Sequence, residues 1–155
     1  MDRKYKRGIT IGTFDMFHIG HLNLVKQAKA MCDYLIVSIH SDDYVLKCKH
    51  RPTIYPYEER AAIMSAIKYV DEVVCNEAPI DIHQWEKYHF DAIFIGDDWA
   101  GTPGWKKVEE ILSPVGSKVE YLHYTGGIST TLIRDKIINT SNRKFEGNKN
   151  LFDNK

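Results

Sequence analysis

A chain of 155 residues, 43% hydrophobic and 27% charged, has the size and composition of one globular domain with one core. Its 21 Lys and Arg balance 21 Asp and Glu, which argues against nucleic acid or an anionic membrane as the main partner. No apolar run nears the ~20 residues of a membrane span and no signal-type segment follows the basic start "MDRKYKRG", so a cytoplasmic location is expected.

The run "RGITIGTF" is apolar and β-branched, closed by Gly12, and predicts a first buried strand. Residues 20–31 follow with Leu22, Val25, Ala28 and Met31 on one face, an amphipathic helix. "DYLIVSIH" is a near-continuous apolar strand, the pattern of a parallel sheet covered on both faces. "SDDYVLKCKHRPT" predicts a short helix and then a basic loop. Pro56 suits the first turn of a helix over 57–70, with Ile63, Ala66, Ile67 and Val70 spaced to face the core. "DEVVC", "DAIFIG" and "SKVEYL" read as three more strands, "DIHQWEKYHF" and "GWKKVEEIL" as helices between them, and "STTLIRDKII" as a closing helix. The polar segment 139–155 reads as a tail, loosely held or resting on a partner subunit, after a domain of 1–138.

Strands alternating with helices imply an α/β fold: a single-domain, Rossmann-like, doubly wound sheet of five parallel strands. Ligands of such sheets sit beyond the carboxyl ends of the strands. That rule collects Gly12, Thr13, Phe14, Asp15, His18 and His21 after the first strand, and Ser41, Asp42, Lys47, Lys49 and Arg51 after the second. It adds Gly96, Asp97, Asp98 and Trp99 after the fourth, and the stretch from Thr125 to Thr131 after the fifth.

This set is rich in groups that bind phosphate and poor in nucleophiles. Gly12 lets the backbone approach a ligand, and Gly20 keeps a Cβ out of the space between the two histidines. His18 and His21 stand three apart at a helix start, where the backbone favours negative charge, so both can donate to one phosphate. Lys47 and Lys49, with Arg60 in the next helix, supply cations that close on phosphates. In "TGGISTTLIR" two glycines free the backbone and Ser129 or Thr130 caps a helix, making a second anion cradle. The chain has no G-x-S-x-G elbow, no P-loop and no G-x-G-x-x-G, which removes support for serine hydrolysis, P-loop chemistry and dinucleotide redox chemistry. Cys32, Cys48 and Cys75 form no C-x-x-C pair, and H-E-x-x-H is absent, so no protein-held metal site is expected. Two anion cradles facing one basic segment point to transfer of a nucleotidyl group.

"GTFD" with "HIGH" (18–21), "KYVDEVV" (68–74), "GDDW" (96–99) and "GISTT" (127–131) resemble the cytidylyltransferase family of the HIGH-motif nucleotidyltransferases, and within it the glycerol-3-phosphate branch. The resemblance spans 9–138. It implies a Mg2+-dependent reaction of CTP with a phosphorylated alcohol, glycerol 3-phosphate by default, giving a CDP-alcohol and pyrophosphate for capsule, cell-wall or lipid head-group synthesis. It also implies a homodimer. By position, His18, His21, Lys47 and Ser129 are implied as catalytic. The implied nucleotide-binding residues are Gly12, Thr13, Phe14, Asp15, Gly20, Arg60, Gly96, Asp97, Thr125, Gly127, Ile128, Thr130 and Thr131. Lys49, Lys68, Trp99 and Tyr124 fall to the acceptor. Where that branch has an arginine in "RTEGISTT", this chain has Tyr124, and Gly126 replaces the glutamate; a phenol cannot grip phosphate bidentately, so the acceptor contact is altered. Another polyol or amino-alcohol phosphate, ATP in place of CTP, and a nucleotide-binding module without turnover stand as alternatives.

Overall fold

The computed structural model describes residues 2–141; the tail beyond lies outside the described residues. Its elements are β1 (Tyr5–Gly12), α1 (Ile19–Met31), β2 (Cys32–His40), α2 (Asp42–Lys49), α3 (Tyr57–Ser65), β3 (Glu72–Asn76), α4 (Ile82–Tyr88), β4 (Ala92–Gly96), α5 (Pro103–Leu112), β5 (Lys118–Leu122) and α6 (Thr130–Ser141). Short 3-10 turns at Asp97–Trp99 and Ser113–Val115 flank α5. All strand pairs are parallel, in the order β3-β2-β1-β4-β5. The expected five-stranded, doubly wound α/β architecture is the one observed.

The sheet separates two cores because alternate side chains of each strand point to opposite faces. Leu35, Val37, Ile39 and Phe94 pack with Val25 and Ala28 of α1 and Met64 of α3. Ile9, Ile11, Ile36 and Ile93 pack on the other face with Phe90 and Leu112. This explains the unbroken apolar run in β2: both faces are covered.

From β1 the chain winds through β2 to β3, then returns to place β4 on the other side of β1. The carboxyl ends of β1 and β4 are therefore the switch point of the sheet, where connections leave in opposite directions and open a crevice. Two expectations change here. The helix over 57–70 stops at Ser65 and continues as turns, and Ile63 is exposed while Arg60 and Met64 are buried. Ala66 is exposed as well, whereas Ile67 and Val70 pack against the core as the spacing predicts, and the buried Arg60 takes its inward position through the hydrogen bonds described below. At the other end, α6 continues through Asn139 to Ser141.

Candidate active site

The β1–α1 turn begins the site. Phe14 and Met16 adopt φ values of 52° and 48°, a left-handed conformation that is costly for side-chain-bearing residues and persists where the surroundings enforce it. Phe14 is buried and sets its ring edge against His21, centroids 5.2 Å apart. Asp15, only 4% exposed, ties the turn down. Its carboxylate accepts hydrogen bonds from the backbone N–H groups of Met16, Ile54 and Tyr55 at 3.0, 2.7 and 2.9 Å. Arg134 of α6 adds a fourth donor at 3.1 Å. Burial alone would raise its pKa; the Ile54 and Tyr55 donors and the Arg134 charge outweigh that and hold it below the ordinary carboxylate value.

His18 is the N-cap of α1, and its Nδ1 accepts the Gly20 N–H at 3.1 Å. His21 reaches back, its Nδ1 accepting the His18 N–H at 3.4 Å. The pair thus makes a reciprocal capping box with imidazoles in the roles that Ser and Glu usually fill. The rings stack at 3.8 Å with 23° between planes. A Cβ on Gly20 would stand 2.9 Å from Cε1 of His18, so the residue between the histidines has to be glycine for the His18 ring to lie across the helix start. Burial lowers the pKa of both rings, that of His21 to about 3 with the His18 and Lys49 charges adding to the effect.

Lys49, in the last turn of α2, donates to Thr13 Oγ1 at 3.0 Å, and its pKa is lowered by burial and then by the Arg51, Arg134 and Arg60 charges. Arg60 works beneath the turn: its side chain is fully buried. It donates to the carbonyls of Tyr55, Thr13 and His40 at 3.0, 2.6 and 2.9 Å and to Asp42 Oδ1 at 2.6 Å. Opposite, Asp97 Oδ1 accepts the Tyr124 N–H at 3.0 Å, Ser129 Oγ accepts the Leu132 N–H at 3.1 Å, and Thr130 Oγ1 donates to the Asp15 carbonyl at 2.9 Å. The second cradle is in this way fastened to the first.

Between these walls lie adjoining compartments. The first, about 300 Å³, is bounded by the ends of β1 and β4, the histidine pair, Asp98, Trp99, Tyr124, Thr125 and Ile128. The second, about 190 Å³, is reached past His21, Lys49 and Ser129 and is basic: Lys49, Arg51 and Arg134 surround Thr13, Thr53 and Thr131. A third, about 330 Å³, meets the first at Ile11 and Trp99 and is lined by Tyr44, Pro79, Ile80, Trp105 and Val108, with His40 at its edge.

The structure brings Gly12, Thr13, Phe14, His18, Gly20, His21, Lys49, Gly96, Trp99, Tyr124, Thr125, Ile128, Ser129 and Thr130 to the first compartment, and Asp15 and Thr131 to the second. It leaves five others out. Lys47 and Lys49 are both exposed, but only Lys49 lines the cleft and bonds Thr13, because residues two apart on a helix point in different directions. The "basic loop" is thus largely the end of a helix. Lys68 lies in the turns leading to the amino end of β3, its Nζ over the Tyr69 ring at 5.2 Å, at the opposite end of the sheet from the cleft. Arg60 and Asp97 engage protein groups just described and shape the walls without lining them. Gly127, at φ 76°, turns the β5–α6 loop.

Residues the sequence reading passed over include Arg134, His123 and Leu24. A signal for Arg134 existed: it is four residues from Thr130 on a helix, hence on the same face. His123 and Leu24 carry no such mark. Among the described residues no group of three or more His, Cys, Asp or Glu is placed to hold a metal ion.

The profile of the family described as Cytidylyltransferase-like matches residues 9–136. A glycerol-3-phosphate cytidylyltransferase of Bacillus subtilis (strain 168) is 37% identical over 139 residues, covering 85% of this chain and 97% of that protein. An FAD synthase of Pyrococcus abyssi is 38% identical over 117 residues, covering 75% of this chain and 78% of that protein. The crystal structure of a lipopolysaccharide core biosynthesis protein from Thermoplasma volcanium GSS1 shares the fold, with a TM-score of 0.65 at 21% identity over 78% of this chain and 97% of that one.

Proposed function

This chain belongs to the cytidylyltransferase-like family and is a nucleotidyltransferase; we propose that it transfers CMP from CTP to a phosphorylated alcohol, with glycerol 3-phosphate as the default acceptor. The observation that carries the reading is the position of the His18–His21 pair, set between a partly apolar compartment and a basic one. A nucleoside fits the first, against Trp99, Tyr124 and Ile128, and a phosphate chain fits between the two. An oxygen of the acceptor phosphate attacks the α-phosphorus; the bond from that phosphorus to the bridging oxygen of the β-phosphate breaks, and pyrophosphate leaves with the electron pair. No protein nucleophile is required. His18 and His21 donate to the phosphate that gains charge, Lys49 and Arg134 hold the phosphates, and the backbone N–H groups at the start of α6 add donors.

Mg2+ fits as a companion of the triphosphate. The cleft offers Asp98 but no built cluster of acidic ligands among the described residues, so the ion would be held chiefly by phosphate oxygens, and it would neutralise charge on the leaving pyrophosphate. The compartment beyond Trp99 suits the acceptor's carbon chain. Its lining carries no carboxylate, and His40 beside it is held neutral by burial, with a pKa near 4. The missing carboxylate favours an uncharged alcohol, while Tyr44, Trp99 and Trp105 in the same lining offer aromatic faces to an ammonium, so ethanolamine phosphate and choline phosphate are the acceptors that test the preference. A homodimer, and a place in capsule or cell-wall polymer synthesis, belong to the same proposal.

Pyrophosphate release, measured with each of the four nucleoside triphosphates against glycerol 3-phosphate, other polyol phosphates, ethanolamine phosphate and choline phosphate, tests it. CTP with an uncharged alcohol phosphate is expected to turn over fastest. Turnover with no CTP pair overturns the reading.

A further inference from the structure

The capping box at the start of α1 does more than end a helix. An N–H bond can be accepted only by a ring nitrogen that carries no proton. Nδ1 of His18 accepts from Gly20 N and Nδ1 of His21 accepts from His18 N, so in both rings the single proton is on Nε2. That atom has no protein partner among the described residues, while both rings line the cleft. We infer that the reciprocal cap locks His18 and His21 into the same neutral tautomer, so that the pair meets the transferring phosphate as two uncharged Nε2–H donors and never as imidazolium. The inference rests on the nucleotidyl-transfer reading only for which ligand the donors meet; the tautomers themselves follow from the cap.

The surroundings act in the same direction. Two stacked imidazoles 3.8 Å apart disfavour two positive charges. Protonating either Nδ1 would set an N–H against the N–H it now accepts, releasing the helix start. The charged groups that act on the pair are Asp15 of the same turn, which favours protonation, and Lys49 of α2, which opposes it and is held at Thr13; Asp98, after β4, and His123, after β5, line the same compartment. Arg134 of α6 answers Asp15 with a direct ion pair. The ring walls from β1 and the β5–α6 loop, Gly12, Ile128, Ser129 and Thr130, carry no charge. A neutral donor gives up no proton to the phosphate it stabilises and needs none returned before the next turnover. The positive charge of the site is left to Lys49 and Arg134, and Gly20 becomes a positioning residue, since only a residue without Cβ leaves the His18 ring against its own helix start.

Long-range 1H–15N correlation spectra of the full chain, labelled on histidine, read the tautomers directly without substrate. For His18 and His21 we expect a protonated Nε2 and a bare Nδ1 from pH 8 to pH 5.5. An Nδ1-protonated or imidazolium form of either ring above pH 6 overturns the inference, whatever the enzyme's substrates prove to be. With CTP and glycerol 3-phosphate, Gly20→Ala provides the second readout. Displacing the His18 ring is expected to lower kcat by tenfold or more and to add an acidic limb near pH 6 to kcat relative to the wild type, the acceptor's own ionisation being common to both. If the folded variant shows the wild-type kcat profile and the wild-type tautomers, the cap is not what sets the proton positions, and the inference fails. If no substrate pair turns over at all, the functional reading fails and the spectra still decide the tautomers.

Discussion

Asp15 and Arg134 are 119 residues apart in the chain, and their side chains meet at 3.1 Å across the mouth of the basic compartment. Asp15 also receives the backbone of residues 54 and 55, while the neighbouring Thr130 hydroxyl binds the Asp15 carbonyl. One carboxylate thereby fastens the turn after β1, the segment before α3 and the start of α6. Asp15→Asn keeps the shape but loses the charge pairing. We expect a stability loss of about 1–3 kcal/mol in urea denaturation, from charge-assisted bonds weakened at a buried site, together with a raised KM for CTP as Arg134 is released. Wild-type stability and KM in this variant would remove Asp15 as the fastening point.

Removing one histidine donor tests the centre of the site. His18→Ala is expected to reduce kcat by about 10²–10³-fold, the cost of deleting one preorganised donor to a transition-state oxyanion. Loss of the N-cap should cost only about 1 kcal/mol of stability. Circular dichroism beside steady-state pyrophosphate release separates the two effects, and a change of less than a few-fold in kcat would contradict the assigned role.

The two lysines of α2 are expected to differ. Lys49 faces the cleft and touches Thr13, whereas Lys47 points to solvent. Lys49→Ala should lower kcat/KM by about 10–100-fold, equivalent to one charge-assisted hydrogen bond, and Lys47→Ala should stay within about threefold of wild type, as for a solvated surface charge. The reverse order in the same assay would mean that α2 rearranges when substrate binds.

Arg60 carries the fold rather than the chemistry. Its buried guanidinium satisfies three backbone carbonyls and Asp42. Arg60→Ala removes the donors to the Tyr55, Thr13 and His40 carbonyls, whereas Asp42, 44% exposed, keeps its bonds from Thr53 and Tyr57; a loss of about 1–3 kcal/mol or more is expected in chemical denaturation, the cost of leaving buried acceptors unsatisfied. Lysine should recover little of it, because an ammonium cannot reproduce the planar fork. A Lys variant of wild-type stability would show that the fork geometry is unimportant.

Acid should weaken the fold well before the carboxylates titrate. Native His21 and His40 have pKa values lowered to about 3 and about 4 by burial, against 6.5 when unfolded. Below pH 6.5 the unfolded chain therefore binds protons that the native chain refuses, and stability falls as pH falls, by about 1.4 kcal/mol per pH unit for each such group. Above pH 6.5 both states are neutral and the effect vanishes. Asp15, whose native pKa is depressed, adds a further loss only as pH drops below its unfolded value of 3.8. Urea midpoints are expected to be level from pH 7 to 8 and to decline steadily from pH 6 to 4, with His40→Gln flattening the decline. An unchanged midpoint at pH 5 would exclude this origin.

The fold and most of the site were legible in the sequence for local reasons. Apolar runs with two covered faces, alternating with helical periods, dictate a parallel sheet, and a parallel sheet fixes the edge where ligands bind. "GTFDMFHIGH" and "GGISTT" each hold their ligand-facing groups within one turn and one helix start, so His18, His21, Gly20, Ser129 and Thr130 could be found without knowing what lay opposite. Only the tertiary structure decided the rest, because those outcomes depend on contacts between segments far apart in the chain. It turned Lys49 toward the cleft and Lys47 away from it through the rotation of α2, and it took Arg60 out of the cleft by surrounding it with carbonyls from three separate segments. Arg134 gained its place by pairing with Asp15, and Lys68 fell at the wrong end of β3 to meet a ligand there. A sequence fixes which groups are available over the few residues that share a turn or a helix face. Which of them share a cavity is set by the long-range packing that carries those turns and faces together.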